Sequence, residues 1–182
     1  MLGLPALAKR FMQHAFSTSL RPMVADDLDA VLGVQAACYP PSMQEAAHIV
    51  AARIACAARS CLVAFDAGGV CAYLFAYPSR LGAVTPLDAP FAVALEADTL
   101  YLHDLAVAPR ALGQGLARRL VGALLDQARA MDLGSAGLVS VQDTAGFWGG
   151  LGFVEMELAC PLARAALATY PGPACYMRRQ LA

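Results

Sequence analysis

Charge is scarce in this chain. Only 15% of its 182 residues are Asp, Glu, Lys or Arg, and the formal net charge is −1. With no basic excess, neither nucleic acid nor an anionic membrane surface has anything to bind electrostatically. Histidine is scarce too: three copies, none spaced as a ligand pair, so no metal is expected. The six cysteines (Cys38, Cys56, Cys61, Cys71, Cys160, Cys175) include no CxxC pair. They read as small buried hydrophobes rather than a disulfide framework, because a domain of this size needs no staples. Also missing is an uncharged apolar run long enough to cross a membrane; the longest uncharged interval, 30–44, contains Pro40-Pro41. At the N-terminus the basic pair Lys9-Arg10 follows a short apolar stretch instead of preceding it. Residues 1–15 therefore read as a lead-in rather than a secretory signal, and a cytoplasmic location is expected.

What is abundant is apolar surface. Hydrophobic residues make up 59% of the chain, enough for one well-filled domain over residues 16–182 and a composition that leans toward a homodimer. Residues 16–23 read as an edge strand because of Arg21-Pro22. A helix follows from Asp26-Asp27 to about Tyr39, where Pro40-Pro41 breaks it. Ser42-Met-Gln-Glu45 has the form of a capping box opening a second helix that runs to about Ala58. The apolar runs 60–65 and 70–77, joined by Asp66-Ala-Gly68-Gly69, signal a hairpin whose strands are covered on both faces. Residues 78–98 form a long connection, either an acceptor lid or a surface insertion. Further strands are expected at 136–141, 154–159 and 175–180. Short helices are expected at 145–151, capped by Asp143 or Thr144, and within 161–170.

The informative stretch is 99–129. TLYLHDLAV reads as a buried strand ended by Pro109. Arg110-Ala-Leu112-Gly113-Gln114-Gly115 is a turn, and Leu116-Ala117 begins a helix with Leu116, Leu120, Leu124 and Met131 on one face. Gly134 is the expected stop. The first amides of a helix lack intrahelical acceptors and carry partial positive charge. Glycines before them let an anion approach without meeting a Cβ. Arg110 would add a full charge. The device fits a phosphate or pyrophosphate. A dinucleotide fingerprint is a poor rival, since Gly113-x-Gly115-x-x-Arg118 lacks the third glycine.

Arg110-x-x-Gly113-x-Gly115, preceded by Leu105-Ala106-Val107-x-Pro109, resembles the acyl-CoA pyrophosphate loop of the GCN5-related N-acetyltransferases (GNAT superfamily). Ala145-Gly-Phe147-Trp148-Gly-Gly-Leu151-Gly152-Phe153 resembles a later motif of that family. The likeness covers roughly residues 16–180. It implies an α/β (mixed α+β) fold with a mostly antiparallel central sheet of six to seven strands and about four flanking helices. It also implies acetyl-CoA as cosubstrate, an amine acceptor and direct transfer in a ternary complex. Coenzyme contacts would fall on Leu105, Ala106, Val107, Arg110, Leu112, Gly113, Gln114, Gly115, Leu116, Ala117, Phe147 and Trp148. Cys38, Tyr39 and Met43 either touch the acceptor or pack as ordinary helix-loop residues.

Tyr101-Leu-His103-Asp104-Leu-x-Val107 is similar to the Tyr-Leu-Glu-Asp-Ile-x-Val of diamine acetyltransferases. His103 is then either the base or a core histidine, Asp104 a base through water or an orienter of the amine, and Tyr101 a support for His103. Strand alternation sends His103 and Asp104 to opposite faces. The family's usual tyrosine, which protonates the departing thiolate, is replaced by Trp148, and an indole N–H cannot do this. The thiolate then leaves unaided, or Tyr101, Tyr170, Tyr176 or water serves. Alternatives are an acyl-CoA sensor without turnover, and O- or antibiotic-directed acyl transfer. If the turn between Ala111 and Ala117 holds a diphosphate, acetyl-CoA and CoA should each raise the melting temperature in a thermal-shift assay; no shift would remove that role from the turn.

Overall fold

The computed structural model describes residues 18–181; the lead-in 1–15 and the start of the expected first strand lie outside them. The chain forms β1 (Ser19–Pro22), α1 (Leu28–Cys38), α2 (Ala47–Ala57), β2 (Cys61–Asp66), β3 (Gly69–Ser79) and β4 (Thr99–Val107). It continues through α3 (Leu116–Ala130), β5 (Ser135–Ser140), α4 (Ala145–Gly149), β6 (Val154–Glu155), α5 (Pro161–Leu167) and β7 (Cys175–Gln180). The seven strands make one sheet in the order β1-β2-β3-β4-β5-β7-β6. Every neighbouring pair is antiparallel except β4 and β5, which run parallel. Proline 22 sits on the edge strand, where its missing N–H costs no ladder bond.

The apolar strands are buried on both faces. Leu116, Leu120, Val121, Leu124, Leu125 and Ala128 of α3 pack on one face, against Leu74, Leu100, Leu102 and Leu138. α1 and α2 cover the other through Val31, Val34, Val50 and Ile54, against Val63, Tyr73, Phe75 and Tyr101. Met131, beyond the last turn of α3, is exposed.

Several local expectations give way. Ser42 and Glu45 form no capping box: Pro41–Met43 is a short 3-10 turn, and α2 starts after Ala46 without a side-chain cap. Glu45 is instead turned into the core, where Arg53 holds it. Asp132, at φ 57, takes the left-handed position after α3 that was expected of Gly134. Thr144 precedes α4 but its hydroxyl turns back to the Val141 carbonyl at 2.6 Å. The strand expected over 154–159 shortens to β6. The cysteines are unpaired as expected, yet only Cys61 and Cys71 are buried; Cys56 and Cys160 are exposed.

Gly137 of β5 is required by a close approach. A Cβ there would lie 2.1 Å from the hydroxyl oxygen and 2.9 Å from the ring of Tyr176, which is itself buried and accepts from the Gly82 amide. Gly137→Ala should cost about 1–3 kcal/mol through overpacking, read as a lower urea midpoint at unchanged slope.

Candidate active site

One residue in β4 breaks the strand alternation. In the β3–β4 ladder Ala76 faces Leu102 and Phe75 faces Asp104, so His103 is an additional, unpaired residue. This is a β-bulge. Before it, Leu100 and Leu102 pack toward α3; after it, Leu105 and Val107 do. Tyr101 and Ala106 belong to the opposite face. Within that three-residue step both His103 and Asp104 turn to the α1/α2 face, where His103 meets Glu45 and Phe91 and Asp104 meets Tyr39 and Tyr73. The expectation that they occupy opposite faces is therefore corrected, because period-two alternation holds only in an unbulged strand.

Beyond the bulge the sheet opens. β4 pairs with β5 only from Thr99↔Ser135 to Leu102↔Leu138, although both strands continue. The Leu105 and Val107 carbonyls turn away from β3; they receive the Tyr39 hydroxyl at 3.0 Å and the Cys38 thiol at 3.3 Å. In a strand the N–H of a residue leaves on the same side as its C=O, so the Leu105 and Val107 amides also face the gap. The gap holds a cleft of about 230 Å³. Leu102, Leu138, Ala117, Phe147 and Trp148 line it on the α3 side, and Tyr39, His103 and Asp104 on the α1 side. A smaller cavity of about 40 Å³, bounded by Met43, Glu45, Leu87 and Tyr170, shares Tyr39, His103, Asp104, Val139 and Val141 with it. The opening thus passes through the sheet.

At the α3 end lies the glycine turn. Gly113 and Gly115 have φ of 77° and 72°, values that only glycine adopts freely. The first helical bond of α3 runs from the Arg119 amide to Gly115 O at 3.1 Å. Among the described residues no protein group accepts from the amides of residues 113–118, so a fan of free donors remains. The Arg110 side chain, however, is committed: it binds Asp66 at 2.7 Å and the carbonyls of Gly69 and Val70. Any share Arg110 has in anion binding comes through its backbone or a paired charge. Arg118, in the first turn of the helix, lies 5.7 Å from the Phe147 ring.

Where the two cavities meet stands Asp104. Its carboxylate accepts from the Tyr39 hydroxyl at 2.6 Å and the Tyr73 hydroxyl at 2.7 Å. Among the described residues no Arg or His forms an ion pair with it. Burial pushes its carboxyl above the ordinary value, outweighing the two phenol donors. Burial, with the Asp104 charge second, raises both phenols well above theirs.

Behind it runs a buried charged chain. Arg53 is wholly buried and binds both Glu45 oxygens and the Ala89 carbonyl. Glu45 Oε1 also meets His103 Nε2 at 3.2 Å and accepts from the Asp88 amide at 3.0 Å. Burial alone would raise the Glu45 carboxyl, but His103 and Arg53 overcome it and hold it at about 2. The 80–98 connection closes over this chain: Phe91 stacks on Tyr77 at 4.4 Å and lies under the Arg53 guanidinium at 4.8 Å. It covers the α1/α2 face of the sheet here, and its Leu87 borders the small cavity.

The His103 ring sits 2% exposed, its Nδ1 and the neighbouring Tyr101 hydroxyl buried without partners among the described residues. Trp148 packs between Phe147 and Phe153 at 5.0 and 5.5 Å and borders the cleft. Tyr170 donates to the Thr85 carbonyl and Tyr176 accepts from Gly82, and both rings belong to the core on the α1/α2 side of the sheet. Sequence reasoning missed Tyr73, Glu45 and Arg53. The first was signalled by aromatics at 73, 75 and 77 sharing one strand face, the last by a lone charge among the apolar residues of α2.

A sheet split between two parallel strands, with a glycine turn feeding the helix after the split, defines the class of mixed-sheet domain to which the chain belongs. The chain belongs to the acetyltransferase (GNAT) family, whose model matches residues 28–153. Among curated proteins none matches it in sequence. Its fold is similar to that of a GphF GNAT-like decarboxylase solved with isobutyryl-CoA, at TM-score 0.77 and 17% identity over 90% of this chain and all of the other. It is similar also to the ribosomal-protein-S18-alanine N-acetyltransferase of Escherichia coli, at TM-score 0.64 and 17% identity over 91% and 94%. A third is the PaiA N-acetyltransferase of Thermoplasma acidophilum in complex with coenzyme A, at 0.64 and 13% over 91% and 99%.

Because Glu45 titrates near 2 when folded and near 4.5 otherwise, the unfolded chain takes up its proton first as pH falls. The stabilisation is complete above about pH 4.5 and is lost as pH drops toward 2. Melting temperature should fall across that window, and the part due to this group should be missing in a Glu45→Gln/Arg53→Met variant.

Proposed function

We propose that the protein is an acetyl-CoA-dependent N-acetyltransferase acting on a primary amine by direct transfer in a ternary complex. The observation that carries this reading is Asp104: a partly buried carboxylate with two neutral donors and no cation, placed where a cleft from the coenzyme side meets a cavity from the other face. A carboxylate so placed lacks a counter-ion, and an incoming ammonium supplies one.

The roles follow from position. The free amides of residues 113–117 receive the diphosphate, with Arg110 and Leu112 flanking them. The acyl-bearing arm then lies along Leu105, Ala106 and Val107, against Ala117, Phe147 and Trp148. The amine enters past Met43, Leu87 and Tyr170. Asp104, made more basic by burial, takes its proton, and the neutral nitrogen attacks the thioester carbonyl. The β4 amides that face the gap stabilise the oxyanion. On collapse the C–S bond breaks and the coenzyme thiolate leaves without a protein acid, which its modest basicity allows; the second proton, shed by the now cationic nitrogen, passes to that thiolate or to solvent and leaves the neutral amide. His103, which borders the cleft with little of its ring exposed, and the buried Tyr101 support Asp104 from behind.

The likeness to a decarboxylase motivates a second assay. Decarboxylation would require a carboxylate-bearing acyl group beside Asp104, and two uncompensated anions there repel each other. An amine panel with acetyl-CoA, read by thiol release, should give turnover, while malonyl-CoA without amine should release no carbon dioxide; the reverse result would replace the transferase reading. Asp104→Asn should lower kcat by about 10²–10⁴-fold with little change in CoA affinity. In the unmodified protein kcat should fall as pH drops through a limb above the usual Asp value of about 3.9, and that limb should vanish in Asp104→Asn.

A further inference from the structure

Nothing in the proposed chemistry uses Glu45 or Arg53, yet α2 and its approach bury both against the strand that carries Asp104. Placing two charges there is costly unless their arrangement is needed. Their contact with β4 is narrow and specific: Glu45 Oε1 reaches Nε2 of His103, the unpaired residue of the bulge, at 3.2 Å. An ionised carboxylate only accepts hydrogen bonds, so Nε2 carries the proton. Nδ1, buried and unpartnered, keeps the lone pair, since a buried N–H left unmade on a cationic ring would cost more. The ring is held edge-on to Phe91 at 5.4 Å, and Phe91 is itself under Arg53. Carboxylate and aromatic ring therefore hold one side chain, and the guanidinium backs both of them.

That side chain decides where Asp104 points. If His103 were released and the bulge relaxed, ordinary alternation would return the next residues to opposite faces. Asp104 would then leave Tyr39 and Tyr73 and the mouth of the cleft. We propose that Glu45, kept ionised by Arg53, is a positioning residue: it locks His103 as the Nε2–H tautomer and so pins the bulge that aims Asp104 at the acceptor. The inference rests on Asp104 being the proton acceptor of the transfer; the lock on His103 can be measured without any turnover.

The test is nitrogen-15 NMR of the histidine side chains, with the His103 signals identified by their loss in His103→Gln, alongside steady-state kinetics. In the unmodified protein Nε2 should be protonated and Nδ1 should show the shift of an unprotonated ring nitrogen. Glu45→Gln should mix the tautomers and lower kcat by about 10–100-fold, the size of effect that a misplacement near 1 Å produces, while the KM for acetyl-CoA stays nearly unchanged. Glu45→Asp, which keeps the carboxylate, should recover part of both signals. Because Glu45→Gln leaves Arg53 unpaired, Glu45→Gln/Arg53→Met is measured beside it; folded by circular dichroism, it should show the same mixing and the same kinetic split. A proton on Nδ1 in the unmodified protein, a tautomer indifferent to position 45, or full kcat in the folded double variant would each overturn the proposal. A protein that shows the expected tautomer but acetylates no amine would overturn the transferase reading and leave the lock standing.

Discussion

One surplus residue in a central strand governs this molecule. A strand with two buried faces tolerates little that is polar, because each side chain must enter a core. By inserting His103 without a partner, β4 sends two consecutive polar side chains to one face while the leucines before and after them keep their places in the other core. The bulge also sits where the β4–β5 pairing ends, so the polar pair emerges at the opening rather than under a neighbouring strand. An unbulged strand would bring only one of the two to the opening and bury the other beneath α3. The cleft through the sheet, the aspartate at its neck and the separate approaches from the two faces all depend on that insertion.

Supporting such a feature has a physical cost, which the buried chain behind it makes visible. Removing two ions from water is expensive, and a well-packed apolar pair of similar volume would stabilise the fold as well or better. Arg53 and Glu45 are satisfied by each other, by the Ala89 carbonyl and by the Asp88 amide, so the cost is offset but not turned into a clear gain. What the pair supplies is direction. A hydrophobic contact would hold the His103 ring by shape alone, whereas a carboxylate fixes which ring nitrogen faces it. The 80–98 connection contributes its carbonyl, its amide and Phe91 to the same grip, which explains why a long segment without regular structure is nevertheless tightly packed.

Much of this was legible in the sequence, and what was hidden has a common cause. The order of strands and helices, the glycine turn and the length of α3 follow from periodicity and from breakers such as Pro109, which act locally. The free amides at 113–118 were also foreseeable, because they follow from helix geometry. Bulges are different. Nothing in TLYLHDLAV distinguishes a strand that alternates from one that slips, since the signal lies in which residue of β3 stands opposite. The capping box at Ser42 failed for a related reason: Glu45 satisfies the local rule, but a guanidinium eight positions on and a histidine in β4 outbid the helix end for its carboxylate. In the sequence Arg110 stands as a free charge beside the glycine turn, and Asp66, which comes close only once the β2–β3 hairpin folds, pairs with its guanidinium.

The neck of the cleft remains chemically unbalanced, and that imbalance bears on what it accepts. Asp104 is partly buried and bound by two phenols whose own ionisation is suppressed by burial and by its charge. These donors stabilise the carboxylate without neutralising it. Desolvation pushes the other way and leaves it readier to take a proton than an exposed aspartate. A cation entering from the α1 side meets attraction at the one point where its proton can be removed, and after losing that proton it is no longer held by charge. Under the proposed transfer, binding and deprotonation draw on the same carboxylate in sequence, and the neutral amine is left facing the gap between β4 and β5. An acceptor bearing its own carboxylate at that point would meet the opposite field on every step.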